Sequence, residues 1–442
     1  MTVRGGPRTT GRQSPATTER HRSVTASDDP NETFRIRIID RLSDIPRAQW
    51  DALANPGWQL GSGGALRENP TLESSCQAKE SDSQETAFNP FISHDFLSIL
   101  EEAGCVEART GWLPQHLLLE GPDNAPLAAL PCYLKTHSMG EYVFDHAWAD
   151  AFHRAGGEYY PKLQCSVPFT PATGRRFLTG TSPRREAAIS ALGAGLRELC
   201  RLRDASSGHI TFLTKREWEL LGEDGYLLRM DQQFHWANRG YADFDAFLAD
   251  LSSRKRKQIR KERRAALAPG ITIDWVTGND LTEAHWDAFF AFYMDTGSRK
   301  WGRPYLNRTF FSLLGERLAD RVLLIIARRE GRMIAGALNL IGSNTLFGRN
   351  WGCIEDQPFL HFEVCYYQAI DFAIATGLDL VEAGAQGAHK LARGYLPTPT
   401  YSAHFITHPG FRQAVADYLE EERTAVAMES AAIAEHSPFR KG

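Results

Sequence analysis

No apolar run in this sequence approaches the roughly 20 residues needed to cross a bilayer, and no hydrophobic signal-peptide core stands at its start. The longest apolar stretch, Val322 to Ala327, has the length of a buried strand. Cysteine is sparse. The seven residues (Cys76, Cys105, Cys132, Cys165, Cys200, Cys353 and Cys365) form no Cys-x-x-Cys pair. An odd count and wide spacing argue against a disulfide framework or a zinc site, and for a reduced, cytoplasmic setting. No metal-ligand spacing and no Ser/His/Asp or Cys/His arrangement stands out either, so neither a metal nor a covalent intermediate is expected. An excess of charge of one sign is missing as well. Fifty Lys+Arg against 54 Asp+Glu give −4 over 442 residues, which excludes a chain that is polybasic throughout. With 42% hydrophobic and 24% charged residues, this is a globular composition with material for two or three domains, not a disordered or collagen-like one.

What is present has an order. Residues 1–33 form an Arg- and Ser/Thr-rich tail expected to be disordered; its make-up also suits an organellar transit peptide. A strand is expected at Phe34, then a helix near residues 43–53, then a Gly/Ser-rich, charged insertion over residues 55–87 without periodicity. A helix capped by Ser93 and stopped by Gly104 follows. Strands "HLLLE" and "LAALPCYLK", a long excursion, a strand in "YYPKLQCSV", a helix over residues 184–203 and the strand "HITFL" complete the first half. The second half repeats that order: strand "ITIDWVTG", two helices, the meander "VLLIIARR", "MIAGALNLI" and "TLFGRNWG", a helix over residues 362–376 stopped by Gly377, and strand "LDLVEAG". A repeated order without a repeated sequence suggests duplication of one α/β unit.

That order matches the GNAT acyltransferase fold, and two such units in tandem resemble the FemAB group. "NPFISHDFL", "GWLPQHLLLE", "KTHSMGEYVFDHAWADAF", "YYPKLQCSVPFTPATGRRFL", "HFEVCYYQAIDFAI" and "EAGAQGAHKLARGYLP" are similar to signatures of the bacterial FemAB-like N-acyltransferases, over about residues 88–440. The resemblance implies an α/β fold of α+β mixed sheets with two tandem GNAT-like acyltransferase domains: residues 34–240, a basic helical connector over 241–270, and residues 271–442. It implies transfer of an activated acyl or aminoacyl group from aminoacyl-tRNA or acyl-CoA onto an amine, the acceptor being a small molecule or a muropeptide precursor of peptidoglycan. The oligomeric state is not implied.

Acyl transfer to an amine needs a base, donors for the oxyanion, and amides or cations for a phosphate-bearing donor. Five clusters are candidates. At the helix start in "NWGCIEDQPFLHFEVCYY", His361 and Glu363 are the candidate catalytic residues; there the Arg/Gln-x-x-Gly-x-Gly/Ala pattern of coenzyme A binding in GNAT enzymes is absent. A cap and a helix-dipole partner are the plainer reading of the two. After the last strand, Glu382, Gln386, His389, Lys390 and Arg393 lie among glycines and are candidate substrate-binding residues, with Lys390 and Arg393 on one face of a short helix. Removing both cations is expected to abolish turnover and leave stability nearly unchanged. In the excursion, Glu141, Tyr159, Tyr160 and Lys162 form either a substrate pocket or an aromatic lid, and Arg175 and Arg176 beyond it either meet an anion or face water. Residues 254–264 carry eight cations and one Glu; Arg254, Lys255, Arg256, Lys257 and Arg260 are candidates for polyanion binding, tRNA being the partner the resemblance implies, against a merely solvated face. Arg299, Lys300, Trp301 and Arg303 form a fifth cluster suited to acceptor binding or to surface packing. The competing hypothesis is a non-catalytic anion- or RNA-binding protein on a duplicated acyltransferase fold.

Overall fold

The computed structural model describes residues 23–24, 34–68, 86–268, 270–300, 304–384 and 387–440. Most of the tail, residues 69–85 of the insertion, Gln386, and Trp301 and Arg303 lie outside the described residues, as do the side chains of Arg299 and Lys300.

The first half contains β1 (Ser23–Val24), β2 (Phe34–Ile39), α1 (Arg47–Ala54), the short ladder β3 (Trp58–Leu60) and β4 (Leu66–Glu68), and α2 (His94–Glu102). The ladder shows that the start of the insertion is ordered; Gly64 beside it packs against the backbone of Leu318 in the second half. There follow β5 (Trp112–Pro114), β6 (His116–Glu120), β7 (Pro126–Leu130), β8 (Tyr133–Lys135), α3 (His146–Arg154), β9 (Lys162–Cys165), α4 (Arg185–Leu202), β10 (Ser207–Leu213), α5 (Lys215–Glu223) and β11 (Leu227–Ala237). The connector is α6 (Phe244–Asp250) and α7 (Ser253–Leu267). The second half contains β12 (Ile271–Val276), α8 (Glu283–Lys300), α9 (Arg308–Leu318), β13 (Val322–Arg329), β14 (Arg332–Ile341), β15 (Thr345–Cys353), α10 over residues 360–376, β16 (Leu380–Glu382), β17 (Leu396–Ile406) and α11 (Pro409–Glu435). The first turns of α10 include a π-helical turn, Glu363–Tyr367.

The duplication is visible in the sheet. Each half has one parallel pair joined through a helix: β9–α4–β10 in the first and β15–α10–β16 in the second. Both pairs hold over three residues, Leu163–Cys165 against Gly208–Ile210 and Thr345–Phe347 against Leu380–Glu382. This is the mixed α/β architecture of two GNAT-like units.

The halves are not separate in the sheet. One eleven-stranded sheet has the order β12-β13-β14-β15-β16-β11-β17-β10-β9-β8-β5, beside a four-stranded sheet β1-β2-β6-β7. Strand β11, from the first half, lies between two strands of the second; β17, from the second, pairs with β10 of the first. Apolar packing crosses the same way. A core containing Trp50, Phe91 and Phe96 of the first half continues into Phe310, Phe311 and Phe347 of the second.

Proline decides where the sheet opens. Strand β17 pairs with β11 along Leu396–His404 and with β10 only from Tyr401 onward. Residues Pro397 and Pro399 therefore sit where one edge of β17 has no neighbour and no N–H is needed.

Candidate active site between the two halves

The two parallel pairs part differently. Beyond Ile210, the gap between β9 and β10 is filled by the protein's own groups. Arg176, almost fully buried, donates from Nε to the Thr211 carbonyl (2.9 Å) and from Nη2 to the Ala172 carbonyl (2.7 Å). Its Nη1 reaches the carbonyls of Gly174 and Arg175. Buried Glu217 accepts from the backbone N–H groups of Arg176 and Phe177 (both 2.8 Å) and of Thr214 (3.0 Å). Each arm of the first gap is thus stapled to the other. Arg175, read as an anion ligand or a surface cation, is instead buried against the Ala54 and Ala87 carbonyls. Neither arginine faces water.

Beyond Phe347 and Glu382 the second gap is narrow at its base. A Cβ at Gly348 would come within 3.1 Å of the Glu382 carbonyl, so a side chain there would press on β16. At that base stands the Glu382 carboxyl. The residue is 6% exposed and its Oε2 has no hydrogen-bond partner among the described residues. Burial pushes its pKa up to about 8, although the Thr173 N–H and the guanidinium groups of Arg176 and Arg349 pull the other way. A carboxyl desolvated to this degree is a strong base for its kind and titrates near neutrality.

The carboxyl lines a cleft of about 570 Å³ built from both halves, with Thr173, Arg185, Thr214, His235, Thr398 and Tyr401 around it. The cleft exists because β10 turns into α5 after Leu213 and leaves the proline edge of β17 uncovered. His235 faces Glu382 across β11 and β16. Burial, helped by Lys390, pushes its pKa down to about 3, so its ring is neutral; Nε2 lies 3.3 Å from Gln233 Oε1. Backbone strain gathers in the segments that wall these gaps. Tyr142, Phe169 and Phe212 are bulky residues with φ of 61°, 58° and 58°, each costing on the order of 1–3 kcal/mol that surrounding packing must hold.

The other sequence-predicted residues fall elsewhere. Glu363 is fully buried and held by Arg263 (2.9 and 3.1 Å) and by Gln368 (2.8 Å); it ties α7 to α10. His361 points away from it, its ring 5.2 Å from that of Trp351, at a separate cleft of about 260 Å³ that also includes Cys353 and Glu355. The pair thus does not act on one point. Arg393 is bound to Glu262 (2.8 Å) and lies over the Phe362 ring at 3.4 Å. Lys390 donates to the Gly384 carbonyl (2.8 Å), and burial pushes its pKa down to about 8. Both cations are buried, which corrects the expectation that removing them leaves stability unchanged. His389 is hydrogen-bonded to Tyr366 (2.9 Å).

Glu141, Tyr159 and Lys162 are interior groups, which fits the packed aromatic lid better than the substrate pocket. The Lys162 ammonium donates to Ser138 (2.8 Å), Glu141 (2.7 Å) and Asp145, and Tyr159 donates to Asp145 (2.7 Å). Burial acts to lower the Lys162 pKa, but the two carboxylates outweigh it and hold it above the ordinary value. Tyr160 bonds Ser138 at the border of this network (2.9 Å). On α7, Ile259, Glu262 and Ala266 face inward. Arg254, Lys257, Lys261 and Arg264 are exposed and make no ion pair among the described residues. Lys255 and Arg256 are half-buried, and Arg260 pairs with Asp245 (2.7 Å). Sequence reasoning reached Glu382 as one polar group among five. It missed His235, Arg349 and Thr173, which carry no local pattern and meet only through the exchange of strands between halves.

The strand–helix–strand unit occurs twice and the two copies merge into one sheet, the architecture of two GNAT-like units in tandem. The chain belongs to the FemAB-like family, described as peptidoglycan biosynthesis/recognition, whose model matches residues 41–441. No curated protein sequence matches it. Among solved structures it is similar to FemX (11% identity, 73% of this chain and 94% of that one, TM-score 0.46). It is also similar to L-PGS from Bacillus licheniformis (9%, 73% and 95%, TM-score 0.45). A third is a tandem GNAT protein from the clavulanic acid biosynthesis pathway (12%, 85% and 99%, TM-score 0.41). No helix among the described residues is long and apolar enough to cross a membrane.

Proposed function

We propose that the protein transfers an aminoacyl group to the amine of a peptidoglycan precursor in the cleft between its halves, with Glu382 as the base. The observation that carries this is the buried Glu382 carboxyl among the residues that line the cleft, with one oxygen that has no hydrogen-bond partner among the described residues and a pKa pushed up to about 8. An ammonium acceptor gives its proton to the Glu382 carboxylate. The neutral amine attacks the acyl carbonyl carbon, the C–N bond forms, and the carbonyl π pair moves to oxygen. Collapse re-forms the carbonyl and breaks the bond to the leaving oxygen or sulfur, which takes up a proton as it departs. His235, kept neutral opposite Glu382, is placed to hydrogen-bond the acceptor.

In a GNAT unit the donor enters past the start of the helix between the parted strands. Here that start carries Asp356 beside His361, Glu355 being paired with Arg329 and Arg332, and it lacks the Arg/Gln-x-x-Gly-x-Gly/Ala pattern of coenzyme A binding, which supports an aminoacyl ester over a coenzyme A thioester. The exposed cations of α7 supply a docking face for the nucleic-acid part of such a donor. The test is product formation from aminoacyl-tRNA or acyl-CoA with a muropeptide acceptor, followed by mass, in wild type and Glu382→Gln. Equal turnover by the two proteins removes the assignment.

A further inference from the structure

Strand β17 has two neighbours along part of its length and one along the rest. It pairs with β11 from Leu396 to His404 and with β10 only from Tyr401 onward. Successive residues of an antiparallel strand turn both backbone polar groups to opposite sides. The ladder to β11 runs through these residues without a break in register, and proline has no N–H to give it. Leu396, Thr398 and Thr400 therefore bond β11, and the carbonyls of Pro397 and Pro399 point the other way. On that side β10 has already turned into α5. Among the described residues no loop N–H donates to either carbonyl, and the neighbouring Thr398 hydroxyl donates to the Leu396 carbonyl instead (3.4 Å). Pro399 is exposed and Pro397 half-buried. This stretch of strand edge accepts hydrogen bonds and donates none.

The edge is not an outer rim of the sheet. Thr398 and Pro399 line the same cleft as Glu382, whose nine-tenths-buried carboxyl has its own unpartnered oxygen. Charges at the mouth of that cleft are matched among themselves, Arg216 with Glu186 and Lys215 with Glu219. The edge carbonyls are thus acceptors in want of N–H donors. Spaced two residues apart, about 7 Å, they match alternate N–H groups of an extended peptide. A second copy of this edge does not fit, because carbonyls would face carbonyls. Glu382 is in register with His235 on β11, and His235 with Leu396 on β17. The strand therefore runs two interstrand spacings, about 10 Å, from the base. That is the reach of about three extended residues, enough for a peptide held on the edge to carry its amine over His235 to Glu382.

We propose that the acceptor is a peptide that docks as an added strand on the Pro397–Pro399 edge of β17, donating alternate backbone N–H groups to those two carbonyls. The inference rests on the reaction being placed at Glu382 and adds what holds the acceptor there. Main-chain hydrogen bonds supply the affinity in such a mode, and the missing proline N–H groups leave the peptide's own edge-facing carbonyls unpaired.

The test is amide-to-ester scanning of a synthetic muropeptide stem, each ester removing one N–H without added bulk. Kd is read by fluorescence anisotropy on wild type and on Glu382→Gln, and KM by turnover on wild type. Esters at alternate positions are expected to weaken binding about fivefold to tenfold each, with KM rising alike and kcat unchanged; the intervening ester should change nothing. Pro399→Ala restores an N–H on the edge and is expected to tighten the all-amide stem several-fold, Pro397→Ala serving if P399A does not fold. Ester penalties that are absent or do not alternate, or an unchanged Kd in the folded proline variant, would overturn the proposal. Full turnover by E382Q would instead remove the placement of the reaction. Because Kd is measured on both proteins, the two failures are separable.

Discussion

The two gaps in the sheet are built alike and used oppositely. In the first, between β9 and β10, Arg176 and Glu217 satisfy the carbonyls and N–H groups of both arms from within. In the second, between β15 and β16, the group at the base is a carboxyl with one oxygen left free. Buried polar groups are normally paired, because an unpaired one costs about 1–3 kcal/mol. The first gap satisfies the backbone groups of its arms and reads as scaffold, although the buried hydroxyls of Ser166 and Thr173 have no hydrogen-bond partner among the described residues. The second departs from that rule and reads as a site. The filled gap still contributes to the cleft: Thr173 and Thr214 line it together with Glu382.

The largest test of this contrast is Glu382→Gln, which should cut turnover by about 10²–10⁴ without lowering the thermal midpoint; a melt and a product assay on one preparation suffice. Next, Arg176→Ala strands the carbonyls of Ala172, Gly174 and Thr211 and should cost about 3 kcal/mol or more of stability in urea titration. A stable R176A would mean that the first gap is not held by its own groups. Arg393→Ala leaves Glu262 buried without its cation and should destabilise by about 3 kcal/mol, read by the same titration.

The fourth expectation concerns pH. The folded Glu382 carboxyl is raised from 4.5 to about 8, so the folded state favours its protonated form. Its contribution to stability is complete below about pH 4.5 and is lost as pH climbs toward 8, at up to about 1.4 kcal/mol per unit. Relative to E382Q, the wild type should therefore lose stability over that window; parallel curves would remove the unpaired carboxyl from the account. The smallest effect is on α7. Alanine at Arg254, Lys257, Lys261 and Arg264 should change stability by less than about 0.5 kcal/mol. It should also flatten the salt dependence of tRNA binding by about 3 in log–log slope, measured by filter retention.

Much of the fold was legible where the alternation of side chains was strong. The meander from Val322 to Cys353 and the crossovers through α4 and α10 stand in the sequence nearly as they stand in the sheet. Strands β11 and β17 were not legible. "LLRMDQQFHWA" is interrupted by the polar run Asp231-Gln232-Gln233, and "LPTPTYSAHFI" carries two prolines that normally argue against an interior strand. Missing these two concealed the exchange between halves, and the cleft with it. At the site, Glu382 was visible as a polar residue at a strand end, but a single sequence does not show which carboxylates will be neutralised. Glu363 is a candidate catalytic residue of the sequence and Glu382 a candidate binding residue; Arg263 and Gln368, which hold Glu363 in the fold, carry no signal in the sequence that they do so.

The interleaving of β11 and β17 also sets a timetable for synthesis. Leu213 of β10 must wait for Tyr401 to be made before it finds its partner. At roughly 5–20 residues per second that interval is on the order of 10–40 s. Throughout it the nascent first half presents the unpaired edges of β10 and β11, a template for wrong pairing. Yield in the cell should accordingly depend on what shields those edges during translation, and a chain released before residue 396 should aggregate however sound its first half is.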